Sequence, residues 1–231
     1  ERRVNQDQQL SYLSNKGEAN INGIIANNKL IENYITYATK IGKEHSFNFL
    51  LGHSYQNFNG TSNNSNIKGF TVQGIKYTDN LGYGISSTAV VTSGAYEREL
   101  QSFFGRVNYS LRDRYLLTFT MRRDGSSKFA PDVRWGNFWS IGGAWRIIDE
   151  AFMADVPLLT NLKLKSSFGT QGNDAISGSN LFLDQFSMES DGVNANPVFS
   201  YRGAPGLTWE KSDNFNAGFE MSLIDIIQLN A

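Results

Sequence analysis

Between Phe104 and Asp124 apolar and polar residues take turns with little interruption. Gly105, Val107, Tyr109 and Leu111 share one parity, and Phe104, Arg106, Asn108 and Ser110 share the other. Beyond the bridge Arg112-Asp113-Arg114, Tyr115, Leu117, Phe119 and Met121 oppose Thr118, Thr120, Arg122 and Asp124. A period of two marks strands whose two faces meet unlike surroundings. The division recurs along the chain. Ile31, Ile35, Tyr37 and Ile41 share a parity with Asn33 and Thr39. After Gly42-Lys43-Glu44, Phe47, Phe49, Leu51 and Tyr55 oppose Ser46, Asn48, Ser54 and Gln56. Later, Trp139, Ile141, Gly143 and Trp145 alternate with Phe138, Ser140, Gly142, Ala144 and Arg146. Leu162, Leu164, Ser166 and Phe168 alternate with Lys163, Lys165, Ser167, Gly169 and Gln171, and Phe215, Ala217, Phe219 and Met221 with Asn214, Asn216, Gly218 and Glu220. The predicted strands run roughly 10 to 13 residues, longer than the 5 or 6 usual in soluble sheets and close to the 9 to 11 that cross a bilayer.

The links carry a second regularity. They are short at 42–44 and 112–114. They are long and rich in Gly, Asn and Ser from Phe58 to about Glu97, after Asp124 through GSSKFAPDVRW, and from Gly172 to about Leu207. Strand parity puts the long links on one side, the asymmetry of outer-membrane barrels with short periplasmic turns and long extracellular loops. Gly125, after Asp124, is expected to let the chain turn at that outer rim. The stretch from Ile147 to Asn161 falls on the short-turn side and predicts a short amphipathic helix and turn. A soluble β-sandwich also alternates, but its turns recur every 8 to 12 residues, so strand length and loop parity favour the barrel.

Composition sharpens this. The 231 residues include 22 Gly and 4 Pro, with 13% aromatic and 19% charged residues. The charged fraction lies below the roughly 25% of a soluble domain, and the mixture favours strands and turns over helices. A net charge of -1 offers no basic surface for nucleic acid. There is no Cys, which excludes disulfide frameworks and cysteine-based metal or redox sites. No apolar run approaches the roughly 18 residues of a membrane-crossing helix, which leaves a barrel open because its strands give lipid only every second residue. ERRVNQDQQL at the start lacks the apolar core of a signal peptide, and QLNA at the end reads as a strand just beginning. Both ends are therefore expected to be cuts in a longer polypeptide.

Candidate chemistry is sparse. No catalytic constellation is evident and no cofactor is implied. His45 and His53 stand on a strand with no carboxylate cluster between them and read as ordinary strand residues rather than metal ligands. Asn173-Asp174 and Asp191-Gly192-Val193-Asn194 are oxygen-rich, but turns favour the same residues and neither matches an EF-hand loop. Gly82, Gly84 and Gly142-Gly143 precede no helix that would cradle a phosphate. Arg106, Asn108, Arg122, Asp124, Lys163, Lys165 and Glu210 fall on the polar face with Arg146 and Glu220. They read either as a wet barrel lumen or as ion pairs holding strands in register. Tyr37, Tyr55, Tyr109, Tyr115, Trp139, Trp145 and Phe219 fall on the opposite face, where aromatic belts meet lipid headgroups. The loop aromatics Phe70, Trp135, Phe199 and Tyr201 are candidates to stack on a sugar or meet a partner lid, or to pin their own loops.

The stretch from Gly105 to Asn173, with GRVNYS, DRYLLT, RRDGSSKF, RWG, WRI, EAFM and NLKLKSSFGTQGN in order, and LTWE at Leu207 to Glu210, resembles the barrel of SusC/RagA-type TonB-dependent outer-membrane transporters of Bacteroidetes. Ala130-Pro131-Asp132-Val133 occupies a loop that the family varies, and Ser166-Ser167 stands where Arg-Ala is frequent. The close likeness spans about a third of the chain. It implies an all-β fold, an antiparallel transmembrane β-barrel segment from a barrel of about 22 strands, the size that holds a plug in its lumen. It further implies a plug before Glu1, more strands beyond Ala231, outer-membrane lipid around the wall, TonB-driven import of an oligosaccharide or peptide, and a SusD-like surface lipoprotein. A passive porin and a soluble carbohydrate-binding β-sandwich are the alternative readings.

Overall fold

The computed structural model describes residues 17–70, 76–178, 180–190, 193–224 and 226–230. Among them there is no α-helix, and none of the single-turn helices is long and apolar enough to cross a membrane. Ten strands form: β1 (Glu18–Ile41), β2 (His45–Lys68), β3 (Val90–Leu111), β4 (Tyr115–Ser126), β5 (Trp135–Arg146), β6 (Leu159–Asn173), β7 (Gln185–Ser190), β8 (Ala195–Tyr201), β9 (Glu210–Leu223) and β10 (Ile227–Asn230). Eight make one sheet in the order β1-β2-β3-β4-β5-β6-β9-β10, while β7 and β8 pair as a separate hairpin. Sequential strands are neighbours apart from that hairpin, so the chain meanders rather than packing two sheets face to face as a sandwich does.

The described residues fall into two compact units, those within 30–56 and 99–230 and those within 17–29 and 57–98. In the larger unit, β3 to β6 and β9 pair antiparallel, with one register shift, between Leu159 and Asn161 where β6 meets β9. Arg106 faces Thr120, Thr120 faces Ser140, Ser140 faces Gly169 and Gly169 faces Asn214. Since strand side chains alternate, this row fixes one face for the even residues of β3, β4 and β5, the odd residues of β6 from Asn161 onward and the even residues of β9. The turn between β3 and β4 closes through the Arg114 N–H donating to the Leu111 carbonyl at 3.0 Å, with Arg112 and Asp113 both at a φ of 55°.

The smaller unit has its own core. Phe70 stacks on Tyr77 with ring centres 4.4 Å apart, beside buried Ala19 and flanked by Ile67 and Leu81. Phe70 thus pins its own segment.

Three sequence expectations need correction. First, β1 and β2 each run 24 residues and β3 runs 22. Much of the predicted link from Phe58 to Glu97 is therefore strand. Past Phe58 both parities of β2 are polar through Asn66, and in β3 Val90 and Val91 put apolar residues on both parities, so the alternation stops while the backbone pairing continues. Side chains reinforce it, as Asn27 donates to Asn59 at 3.2 Å and Asn57 to Glu97 at 2.9 Å. Second, 147–161 holds two single-turn 3-10 helices, Ile147–Asp149 and Ala151–Met153, and no amphipathic helix. Asp149 is drawn to Arg146 at 2.9 Å and Glu150 to Arg114 at 3.2 Å, which folds the chain back at each step. Third, Gly125 is a strand residue paired with Trp135, not a turn. A Cβ there would come within 2.9 Å of the Trp135 ring, so the missing side chain makes room for the indole.

Candidate functional site

Register brings the polar candidates onto one face. Asn108 faces Thr118, Phe104 faces Arg122, Ser102 faces Asp124, Ala144 faces Lys165 and Arg146 faces Lys163. Lys163 faces Glu220, and Asn173 faces Glu210. The Arg122 Nε donates to both oxygens of buried Asp124, at 2.6 and 2.8 Å, and Nη2 donates to the Ser102 hydroxyl at 2.8 Å. The guanidinium also lies over the Phe104 ring, 5.5 Å from its centre and within the roughly 6 Å of a cation–π contact. Lys163 and Lys165 share Glu220 at 3.5 and 2.9 Å, Asn173 donates to Glu210 at 3.0 Å, and Thr118 donates to Asn108 at 2.9 Å. Arg106 is exposed. Between these groups lie short side chains, Thr120, Ser140, Ser167, Asn214 and Asn216. The result is a wall of fixed charges and hydrogen-bonding groups, with no nucleophile held against a base.

The other face is apolar and open. Tyr115, Leu117, Phe119 and Met121 are exposed on β4, Trp139 and Ile141 on β5, Leu164 and Phe168 on β6, and Phe215 and Phe219 on β9. One row runs Phe119, Ile141, Phe168, Phe215 across four strands. From Tyr115 to Met121 the band rises about 20 Å along the strand, at roughly 3.4 Å per residue. Such an area of contiguous exposed apolar surface is foreign to a monomer in water.

At the short-turn end Glu150 collects three donors. The Tyr115 hydroxyl reaches Oε1 at 2.6 Å, the Trp145 indole N–H reaches Oε1 at 3.0 Å, and Arg114 reaches Oε2 at 3.2 Å. These, the tyrosine hydrogen bond foremost, hold the Glu150 carboxyl below the ordinary carboxylate range. Nearby, Arg112 pairs with Glu44 at 3.0 Å, and Ser110 donates to Asp113 at 3.0 Å. His45 shares a hydrogen bond with Tyr109 at 2.8 Å, and His53 packs on Phe103 beside Gln101. No group of three or more His, Asp or Glu that could hold a metal occurs among the described residues. Asp174 accepts from Ser126, while Asp191 and Gly192 lie outside the described residues.

Of the candidate aromatics, Trp135, Phe199 and Tyr201 are strand residues. Trp135 opens β5 on the apolar parity, over Gly125 and against Arg123 and Phe103. Phe199 and Tyr201 lie on β8, where Phe199 meets Phe186 edge-on at 5.8 Å.

Sequence reasoning missed a cluster at the long-loop end. Fully buried Phe129 packs with Phe138 and Trp209, flanked by Leu100, Val133, Ile176 and Leu207. Around it Lys128 Nζ donates to the carbonyls of Asp174 and Ile176 at 3.1 and 3.0 Å, Ser126 donates to Asp174 at 2.8 Å, and Trp209 donates to the Arg134 carbonyl at 2.8 Å. RRDGSSKF, RWG, the GN-Asp174 segment and LTWE are therefore parts of one spatial object. Their recurrence as a set was the available signal.

The model of the TonB dependent receptor-like β-barrel family matches residues 2–231. The chain belongs to that family. This TonB-dependent receptor-like β-barrel segment is 31% identical over 223 residues to TonB-dependent receptor P26 of Formosa agariphila, covering 95% of this chain and 22% of that protein. It is 31% identical over 203 residues to TonB-dependent receptor SusC of Bacteroides thetaiotaomicron, covering 83% of this chain and 19% of that protein. Its fold is similar to the RagAB peptide transporter, with a TM-score of 0.81 at 27% identity over 90% of this chain and 23% of that one. The segment thus spans about a fifth of the length of these relatives, and it is an outer-membrane β-barrel wall.

Proposed function

We propose that this wall belongs to a TonB-dependent importer of a large nutrient, an oligosaccharide or a peptide, which works with a SusD-like surface lipoprotein. The observation that carries the reading is the two-faced sheet. One face presents exposed Phe119, Ile141, Phe168 and Phe215 in a single row, and the other presents Arg122, Asp124, Lys163, Lys165 and Glu220 in satisfied pairs. On this reading the first meets lipid, and the second lines the lumen as Arg106, Asn108 and Glu210 do. Relatives named for TonB dependence and a fold neighbour named as a peptide transporter support active import over passive flow.

The test is uptake by the parent cell. Deleting the gene for the whole protein should abolish accumulation of its cargo from mixtures of oligosaccharides and peptides, and a protonophore should do the same in intact cells. Accumulation that survives the protonophore would make the barrel a passive pore. A tagged full-length protein should bring down a surface lipoprotein from detergent extracts.

A further inference from the structure

Arg123 stands apart from the other strand arginines. On the apolar face of β4 it follows Met121 by one alternation step, so it sits where the exposed apolar band ends. Its cross-strand neighbours are Phe103 and Asn137, neither of them acidic. The guanidinium lies 5.2 Å from the centre of the Trp135 ring, and Phe103 meets the same ring at 6.1 Å. Its neighbour Arg122, by contrast, faces the opposite way and is spent on Asp124 and Ser102.

A cation at a lipid boundary without a carboxylate needs anions from its surroundings. A cation–π contact holds the guanidinium at the indole face, and its planar N–H fork matches the oxygens of a phosphate. On its other side His53 and Gln101, 3.2 Å apart, sit above Phe103 and add a polar flank. Below lie Met121 and Trp139, an apolar track suited to acyl chains.

We propose that Arg123, on the shelf made by Trp135 and Phe103, binds the phosphate of a lipid in the outer leaflet. The site is separate from the import path because it faces away from Arg122 and Asp124. It rests on the reading that the apolar face meets lipid.

Native mass spectrometry of the detergent-purified full-length protein tests this, with monophosphoryl lipid A and the same lipid after phosphatase treatment as probes. The wild type should hold the phosphorylated form about tenfold more tightly, the preference that one charge-assisted contact supports. R123Q should lose that preference, R106Q on the opposite face should keep it, and W135L should weaken it. Equal retention of the two lipids by the wild type, or an unchanged preference in R123Q, would overturn the proposal. Tryptophan fluorescence with inorganic phosphate in lipid-free micelles distinguishes the sources. No response is expected, and a saturable response of Trp135 to the free ion would overturn the assignment to a lipid. Insertion of wild type and R123Q into vesicles is scored separately. Failure of the wild type to insert counts against the lipid-facing reading, whereas normal insertion without lipid preference counts against this site alone.

Discussion

Substituting Gly172 by Ala is expected to destabilise the barrel through one aromatic ring. A Cβ at Gly172 would come within 2.5 Å of both Cε atoms of Phe138 and closer still to Cζ, well inside van der Waals contact. The ring has little room to retreat. A Cβ at Gly136 would also strike it, at 2.8 Å from Cε2, and Trp209 meets it edge-on with centres 5.5 Å apart. Phe138 is buried, so the strain must be taken up by the cluster or by the strands. Overpacking of this kind costs about 1–3 kcal/mol. Phe138→Leu alone removes ring contacts and should also destabilise. In the double variant the shorter side chain leaves space for the methyl group, so the combined loss should fall short of the sum by about 1–2 kcal/mol. Urea unfolding of the full-length protein reconstituted in vesicles, followed by tryptophan fluorescence, measures all three. A neutral Gly172→Ala, or a double variant whose loss equals the sum of the single losses, would refute the packing argument.

Ile141 lies in the middle of the apolar row, and Ile141→Arg should cost about 2–4 kcal/mol in a bilayer while Ser140→Arg on the other face costs under about 1 kcal/mol; vesicle unfolding titrations compare them. Asp113 holds a φ of 55° in the hairpin turn. Asp113→Val should therefore lose about 1–2 kcal/mol, and Asp113→Gly should refold at least as readily as the wild type. Glu150 has a folded pKa below its unfolded one, so its stabilisation is present above the unfolded value and fades as pH falls through the folded value. Glu150→Gln should therefore lower the urea midpoint at pH 7, and the gap to the wild type should close in acid. A gap that stays constant down to acid pH would assign the effect to hydrogen-bond geometry rather than charge.

The faces of β3 to β6 and β9 were legible because one side carries exposed apolar residues and the other charged and hydrogen-bonding ones, and period two records that contrast directly. Where the contrast vanishes, so does the signal. The extension of β2 past Phe58 carries Asn, Ser and Thr on both parities and that of β3 before Glu97 puts Val90 and Val91 on both, yet they pair through backbone and amide contacts. Asp124-Gly125 has the chemistry of a turn, but the glycine serves an indole ten residues away. The 147–161 link looked helical because its apolar spacing suits a helix, whereas Arg146 and Arg114 hold its acids in place one by one. Of the candidate aromatics, Trp135 shares the parity of Trp139 and Ile141, but its surroundings read as a loop, and its place in β5 shows only in its pairing with Gly125. The cluster of Phe129, Phe138 and Trp209 needs contacts across some 80 positions of chain, which no local pattern records.

That cluster also sets rules for anyone recombining these proteins. The segment 127–134 and both feet of the stretch 174–209 are clamped together, by Lys128 to Asp174 and Ile176, by Thr208 to the Val133 carbonyl at 2.8 Å, and by Trp209 to Arg134. A chimera spliced at 174 or 209 would sever these ties, and the grafted loop would meet a foreign base. Crossovers placed within 180–206, where β7 and β8 pair only with each other, would leave the clamp whole. Diversity can then be exchanged at the loop tip as a cassette, while its footing stays in the recipient barrel.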